Sequence, residues 1–424
     1  MAQVQLAKGV RDFAPNEKIA RNYLVDTLKK LFENYGFNPI ETPIIERLET
    51  LTAKSEGGET LTEIFKFKDQ GDREIALRFD LTVPLARFVA MNPNLKMPFK
   101  RYQIGRVFRD GPIKLGRYRE FWQCDIDVVG SSQMIAEAEI LSLVKDFFSR
   151  INLDVDVLVN NRLLLNKIIK KSNLPEDKTD DILQSIDKLE KINSDGVKKE
   201  LLEKGFEEAK VDELLRMLDV SGDDKDKLEY FSRILPEAEE INKIKELLKL
   251  VDGLKFTPEL ARGLNYYTGT VFEVKLKDQS KFSSSLAGGG RYDDMIGNYA
   301  DNGKDYPAVG IAFGLEPILE VLKMQNKIAM PETVTKLLIA SIGNVQKESL
   351  EIANMLRTKN INVEIDLMNR KLPKNIKYAL SQKIPFVLFV GENELAEKKF
   401  KLKNMLDNSE EILSLDEIIN KLKC

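Results

Sequence analysis

The sequence predicts an α+β protein built in modules: an antiparallel sheet, a helical insertion that interrupts it, a return to strands, and a separate C-terminal α/β module. Three observations predict this. Residues 37–130 and 254–275 carry short strand-like runs parted by polar or Gly/Pro stretches. Residues 160–250 are dense in Lys, Glu and Asp, with Leu and Ile at spacings of three and four and almost no strand pattern. From about Lys336, apolar runs at 337–340, 361–365 and 385–390 alternate with helical stretches.

Taken in order, residues 16–35 place Ile19, Tyr23, Leu24, Leu28, Leu31, Phe32 and Tyr35 at helical spacing, with Pro15 at the entrance and Gly36 just past the end. Strands follow at 75–79, 101–108 and 121–129, and a helix at 132–150 with Ile135, Ala138, Ile140, Leu141, Val144 and Phe147 on its apolar side. After the helical insertion, strand texture over 254–275 leads to Gly288-Gly289-Gly290, for which a flexible turn is the expected reading and a backbone nest for an anion the alternative. A run from Ala308 enters a helix after Gly314.

At 424 residues the chain is too long for one core, because single cores stop growing near ~250–300 residues. Composition is that of a globular protein, 43% hydrophobic and 31% charged. No apolar run approaches the ~18 residues a membrane helix needs and the N-terminus has no apolar signal core, so a cytosolic location is expected. Two cysteines, Cys124 and Cys424, cannot build a disulfide framework or a four-thiolate zinc site. With 65 basic against 68 acidic side chains the net charge is −3, so any nucleic-acid contact must come from local patches. One such patch spans 366–403, where nine Lys and Arg face four acids, a local +5.

The chain has no histidine, where average usage gives about nine. Serine or cysteine triads, HExxH zinc sites and imidazole proton shuttles are thereby excluded. Chemistry must rest on carboxylates, arginines, backbone dipoles or an oxygen-held metal.

The segment 106–127 reads as a hairpin: one strand ends at Arg109, a Gly/Pro loop carries Lys114 and Arg117, and a second strand leaves from Arg119. Its outgoing strand places Phe121, Gln123, Asp125 and Asp127 on one face and Trp122, Cys124, Ile126 and Val128 on the other. The first face suits a nucleotide and a polar or cationic small molecule, or else is a solvated sheet face. Asp80-Leu81-Thr82 sets a carboxylate and a hydroxyl at a strand end. In Arg262-Gly-Leu-Asn-Tyr266-Tyr267-Thr-Gly269, read as strand-like, the arginine suits a carboxylate or phosphate.

In this order these segments resemble histidyl-tRNA synthetases, a family of class II aminoacyl-tRNA synthetases. The matching stretches are Lys8-Gly-Val-Arg11-Asp12-Phe13, Thr42-Pro43, Leu77-Arg-Phe-Asp80-Leu-Thr82, Phe108 through Asp127, Leu260 through Gly269, Ala287-Gly-Gly-Gly-Arg-Tyr-Asp293 and Gly310-Ile-Ala-Phe-Gly-Leu-Glu316. The resemblance implies a catalytic domain with a six- or seven-stranded antiparallel sheet in two parts, 1–158 and 253–328, a helical insertion at 159–252, a C-terminal anticodon-binding α/β domain at 332–424, and a homodimer. It implies ATP-dependent joining of L-histidine to tRNA(His) with Mg²⁺, through a histidyl-adenylate. Arg109 would bind the α-phosphate, Phe121 stack on adenine, and Arg117 and Glu316 contribute to the ATP site. Asp80, Thr82 and Gln123 would hold the α-amino group, and Asp127 with Tyr267, beside Tyr266, would read the imidazole. Arg262 would contact the carboxylate and α-phosphate. Lys114, Arg370, Lys371 and Lys374 would meet tRNA. The metal ligands stay unassigned.

The chain departs from the pattern twice. Asn265 replaces the usual Asp, and Pro317 stands where the family has an arginine that grips the γ-phosphate. Arg117 or Arg291 is the expected substitute. Pro317 also leaves open an inactive histidine-binding paralogue, similar to the regulatory subunit of ATP phosphoribosyltransferase.

Overall fold

The computed structural model describes residues 4–52, 62–262, 266–300 and 304–423. Asn265 lies outside them. The chain packs as two units, one of Met1–Arg11 with Leu24–Lys327 and one of Asp12–Tyr23 with Ile328–Cys424.

The chain begins with helix α1 (Pro15–Asn34) and runs through β1 (Asn38–Pro39), β2 (Ile45–Arg47), α2 (Leu48–Thr52), β3 (Lys66–Lys68), β4 (Glu74–Leu77) and α3 (Thr82–Met91). The hairpin β5 (Phe99–Phe108) and β6 (Glu120–Val129) follows, then α4 (Ile135–Arg150) and β7 (Val155–Asn161). Helices α5 (Arg162–Lys171), α6 (Thr179–Ile186), α7 (Leu189–Glu203), α8 (Glu208–Leu218), α9 (Asp224–Ile234) and α10 (Glu239–Leu250) form the insertion. They close on their own core, which includes Leu164, Ile168, Ile182, Val211, Leu214 and Phe231. The chain returns through β8 (Leu254–Phe256), β9 (Thr270–Leu276), β10 (Ala287–Arg291), α11 (Asp293–Ala300), β11 (Ala308–Gly314) and α12 (Leu315–Met324).

Among the described residues the large sheet has eight strands in the order β1-β5-β6-β11-β10-β9-β7-β8. Its six central strands are antiparallel, and the two short edges, β1 on β5 and β8 on β7, pair in parallel. The parallel edges have a topological cause. β8 reaches the sheet only after the helical crossover from β7, and a crossover delivers its strand parallel. One sheet face is a dry aromatic core: Phe32 of α1 lies 5.6 Å from Tyr102 and 5.8 Å from Phe313, and Phe147 of α4 meets Phe313 edge-on at 5.3 Å.

Two expectations are corrected. The 254–275 strand is interrupted, since residues 257–262 and 266–269 between β8 and β9 have no regular structure. The triple glycine is neither a turn nor a nest but the central strand β10, with Gly289 opposite Ile311 on β11 and Phe272 on β9. A Cβ on Gly289 would stand 2.6 Å from the Ile311 Cα, so neighbouring backbone, not turn geometry, demands glycine there.

In the second unit, β12 (Leu337–Ile342), α13 (Gln346–Thr358), β13 (Val363–Ile365), α14 (Leu372–Ser381), β14 (Phe386–Gly391), α15 (Glu392–Glu397), β15 (Phe400–Asn404), β16 (Glu410–Leu413) and α16 (Leu415–Lys423) build a five-stranded sheet, order β13-β12-β14-β15-β16. β12 pairs in parallel with β13 and β14, as βα alternation predicts, while β15 and β16 continue antiparallel. Helices α13 and α16 pack into one core and α14 into another.

Because the obstacle at Gly289 is backbone, Gly289→Ala should part β10 from β11 and cost about 1–3 kcal/mol. Urea unfolding should show the first unit's transition at lower denaturant, and an unchanged midpoint would refute the steric argument.

Candidate active site

The second face of the large sheet carries charge. Counting back from the Arg109–Arg119 end of the hairpin, the register sets Gly105 opposite Gln123, Gln103 opposite Asp125 and Arg101 opposite Asp127. Asp125 and Asp127 are each 2% exposed. The polar face is therefore closed, which removes the solvated-face reading.

Asp127 ion-pairs through Oδ2 with Arg101 Nη2 at 2.6 Å and accepts the Tyr292 hydroxyl on Oδ1. Gly310 on β11 makes the room, since a Cβ there would coincide with the Asp127 carboxylate. Arg101 Nη2 also donates to the Leu81 carbonyl at 3.1 Å. Asp80 sits two residues before α3, and its Oδ1 accepts the Val83 N–H of the first turn at 3.0 Å, although the N-cap position itself is Leu81. Thr82 hydrogen-bonds the Tyr266 phenol, and Tyr266 in turn bonds Tyr267. The Tyr267 ring lies against β10, 2.9 Å from where a Cβ on Gly290 would be.

Burial dominates the electrostatics. It pushes Asp80 up to about 6 against the pull of Arg109 and Arg101. Asp125 rises well above the carboxylate range, from burial first and then from Asp127 and Asp80, which Arg101 and Arg109 offset only in part. Asp127 is raised by burial despite Arg101. Asp80 Oδ2, Gln123 Oε1, Asp125 Oδ1, and Arg101 Nε and Nη1 are buried without a partner. Buried polar atoms are ordinarily paired, so such a concentration marks a ligand site.

Beside this floor, Arg109 donates Nε–H to the Phe79 carbonyl at 3.0 Å and lies 5.3 Å over the Phe121 ring. Burial lowers its pKa, opposed by Asp80. Arg262 Nη1 donates to Glu273 Oε1 at 2.9 Å, and its Nε is buried without a partner. Glu316, 1% exposed, accepts the Trp122 N–H at 3.0 Å and so anchors the backbone of β6. At the hairpin tip Lys114 and Arg117 form a one-pair bridge, and the half-exposed Arg117 lies 3.7 Å from Glu63. A Cβ on Gly116 would meet the Phe282 ring at 3.2 Å and the Pro317 Cα at 3.4 Å, so the tip rests on the start of α12.

Arg291 is corrected as a substitute for the missing arginine. Its fork is filled by Glu137 at 2.6 and 2.7 Å, with Ser131 O at 2.9 Å and Asp293 at 3.1 Å on the remaining nitrogen. In the second unit Arg370 pairs with Asp366 at 2.9 Å and stacks over Tyr378 at 4.3 Å, Lys371 is the N-cap of α14, and Lys374 is exposed within it.

Asp80, Thr82, Asp127, Tyr266, Tyr267, Arg109 and Arg262 thus form one neighbourhood, in which Asp80 acts on Arg109 and both tyrosines and Arg262 acts on both tyrosines, while Gln123 lies on the β6 face that carries Asp125 and Asp127. The sequence reading left Asp125 without a role and passed over Arg101, Tyr292 and Glu273. The hairpin register was the signal that pairs Arg101 with Asp127.

The family model described as histidyl-tRNA synthetase matches residues 9–318, and one described as anticodon binding domain matches 336–424. The chain belongs to the histidyl-tRNA synthetase family. It is 43% identical over 433 residues to histidine–tRNA ligase 1 of Bacillus cereus, covering 99% of this chain and 100% of that one. Identity to histidine–tRNA ligase 2 of Shouchella clausii is 38%, covering 96% and 97%. Among solved structures, histidyl-tRNA synthetase from Nostoc superposes with a TM-score of 0.85 at 30% identity, covering 100% and 99%. A Bacillus halodurans protein described as an ATP phosphoribosyltransferase regulatory subunit/histidyl-tRNA synthetase shares the fold, with a TM-score of 0.74 at 19% identity over 91% and 98%. No helix of the described residues is long and apolar enough to cross a membrane.

Asp80 supplies a test of the buried cluster. The unfolded carboxyl titrates near ~3.9 and the folded one near 6, so within that window the folded chain holds a proton the unfolded chain has lost. Asp80 therefore contributes a loss of stability as pH rises from about 4 to 6. Urea unfolding of the wild type and Asp80→Asn across pH 4–7.5 should show the wild type weakening relative to the variant up to pH 6 and a level difference above it. A difference flat throughout contradicts the burial.

Proposed function

We propose that the chain ligates L-histidine to the 3′ end of tRNA(His) in two steps, working in the cytoplasm as a homodimer. The histidine carboxylate attacks the α-phosphorus of ATP and pyrophosphate leaves; a hydroxyl of the terminal ribose then attacks the acyl carbon and AMP leaves. The observation that carries the reading is the floor of buried, partly unpartnered carboxylate and amide oxygens beside Arg109 and Arg262, in a chain related to histidine–tRNA ligases along its whole length. We assign the catalytic domain to 1–158 and 253–328, the insertion to 159–252 and the anticodon-binding domain to 332–424.

In this reading Asp80, Thr82 and Gln123 hold the α-ammonium, and Asp127, Tyr266 and Tyr267 read the imidazole. An ammonium group suits buried carboxyls whose charged form burial disfavours, because a cation beside them favours that form again. Arg109 and Arg262 converge on the α-phosphate, where charge develops as the nucleophile arrives. Phe121 stacks on adenine, and Glu316 serves the nucleotide by fixing β6 at Trp122. Lys114, Arg370, Lys371 and Lys374 meet tRNA. No step needs a protein nucleophile or proton shuttle, so a chain without histidine lacks nothing. Mg²⁺ bound with ATP would neutralise phosphate charge, and its ligands on this chain stay unassigned. The regulatory-subunit reading leaves the anticodon-binding match at 336–424 without a use.

Aminoacylation with purified tRNA, ATP and histidine tests the proposal; a protein that binds histidine in calorimetry but forms neither adenylate nor charged tRNA overturns it. Arg262→Ala should lower histidine-dependent ATP–pyrophosphate exchange at least tenfold, about 1.4 kcal/mol of transition-state stabilisation, without unfolding the chain. A smaller loss would remove Arg262 from the reacting phosphate. With Arg291 committed to Glu137, Arg117 is the cation left to reach the distal phosphates. Arg117→Ala should raise the KM for ATP at least fivefold while leaving that for histidine within twofold; equal shifts in both would show that it serves neither phosphate in particular.

A further inference from the structure

Arg262 reaches the site from the irregular segment between β8 and β9, so its long side chain gets no orientation from a ladder or a helix. Its guanidinium is nevertheless enclosed. Nη1 is 2.9 Å from Glu273 Oε1, and the group lies across Gly288, where a Cβ would approach Nη1 and Nη2 to 2.5 Å. Glu273 and Gly288 stand directly opposite each other on the β9–β10 ladder. A carboxylate paired with a bare glycine therefore forms a bay the width of one guanidinium.

Glu273 is itself held. It accepts the Ser285 hydroxyl and lies 3.0 Å from Lys275 Nζ, two residues along the same face of β9. Burial would raise its pKa, but Arg262 and Lys275 outweigh burial and keep it ionised. Lys275 also pairs with Glu190, at the start of α7 in the insertion. Two buried charges on one strand face, Glu273 and Lys275, with a third from Arg262 laid against them, are a poor way to stabilise a sheet, since an apolar residue at 273 would pack without desolvation cost. Their arrangement fits a different task, which is to hold an arginine in its working orientation before substrate arrives.

We infer that Glu273 and Gly288 are positioning residues for the activation step. Glu273 aims the Arg262 guanidinium, Gly288 gives it room, and the Glu190–Lys275 pair ties that aim to the docking of the helical insertion. The inference rests on the role proposed for Arg262.

The test is histidine-dependent pyrophosphate exchange by full-length protein, with thermal unfolding measured in parallel. Glu273→Gln keeps the shape and removes the charge; Gly288→Ala keeps the charge and fills the bay, and the three atoms nearest its Cβ are the movable end of the Arg262 side chain. Each should lower kcat about tenfold or more with Tm within a few degrees of wild type. Glu273→Asp should recover part of the loss, and Glu190→Gln should cost about threefold. Because Glu273 acts through Arg262, adding Glu273→Gln to Arg262→Ala should cost nothing further. The inference is overturned if Glu273→Gln and Gly288→Ala both stay within twofold of wild type, or if the Glu273→Gln loss multiplies in full on that of Arg262→Ala. Should Glu273→Gln fail to fold, Gly288→Ala alone decides. An active Arg262→Ala sinks the role of Arg262 and this inference together; an inactive Arg262→Ala beside active Glu273→Gln and Gly288→Ala sinks the inference alone.

Discussion

Arg101 and Asp127 face each other across the β5–β6 ladder, their side chains 0% and 3% exposed and their charged atoms 2.6 Å apart. A pair buried this deeply returns little net stability, because desolvating both ions offsets their attraction. Around it the chain buries Asp125 and Asp80 as well, so three carboxylates share two guanidinium groups, Arg101 and Arg109. Burial raises all three carboxyls, and at Asp125 the neighbouring Asp127 and Asp80 add to it. The arrangement makes physical sense as a receptor for a cation, and the rest of the catalytic unit is shaped to permit it: glycine at 310 clears space for Asp127, and Tyr292 caps its second oxygen.

Glycine does on this sheet what side chains do elsewhere. Gly288 and Gly290 lie on the β10 strand beneath Arg262 and Tyr267, while Gly289 between them allows the backbones of β10 and β11 to meet. A local reading cannot distinguish these uses from a turn, because the atoms that forbid a Cβ belong to residues 20 or more positions away. That is why the strand identity of 287–291 was hidden in the sequence, even though the motif itself was conspicuous. By contrast, α1, the β5–β6 hairpin and the helical run after β7 were legible, since periodicity within one segment fixes each of them.

The hairpin shows how far such reading could go. Once Arg109 and Arg119 are taken as its last pair, antiparallel register alone sets Arg101 against Asp127, and the inward face of β5 then follows from the period of two. Asp125 was visible on the same face as Asp127, but its depth was not, because the groups that act on it, Asp80, Arg101 and Tyr267 among them, come from distant parts of the chain. Glu273 gave no local signal at all. It lies on a strand whose 254–275 stretch reads as continuous, and its meaning depends on Arg262 arriving from an irregular segment in between.

The two halves of the site are built to different standards of rigidity. The proposed amino-acid side is carried by central strands and by the residues leading into α3, with Asp127 held by Arg101, whereas the proposed distal-phosphate side depends on the hairpin tip. Pro317 fits that division. A proline there brings no donor, and the tip of the hairpin at Gly116 rests on it instead. The positive charge for the distal phosphates must then come from a loop rather than from α12, and Arg117, half exposed and only loosely engaged by Glu63, is free to turn toward a ligand in a way that Arg291, forked onto Glu137, is not. In the proposed reading, recognition of the small substrate is fixed by the sheet, while the grip on its larger co-substrate is left to a segment whose chemistry can change without disturbing the core.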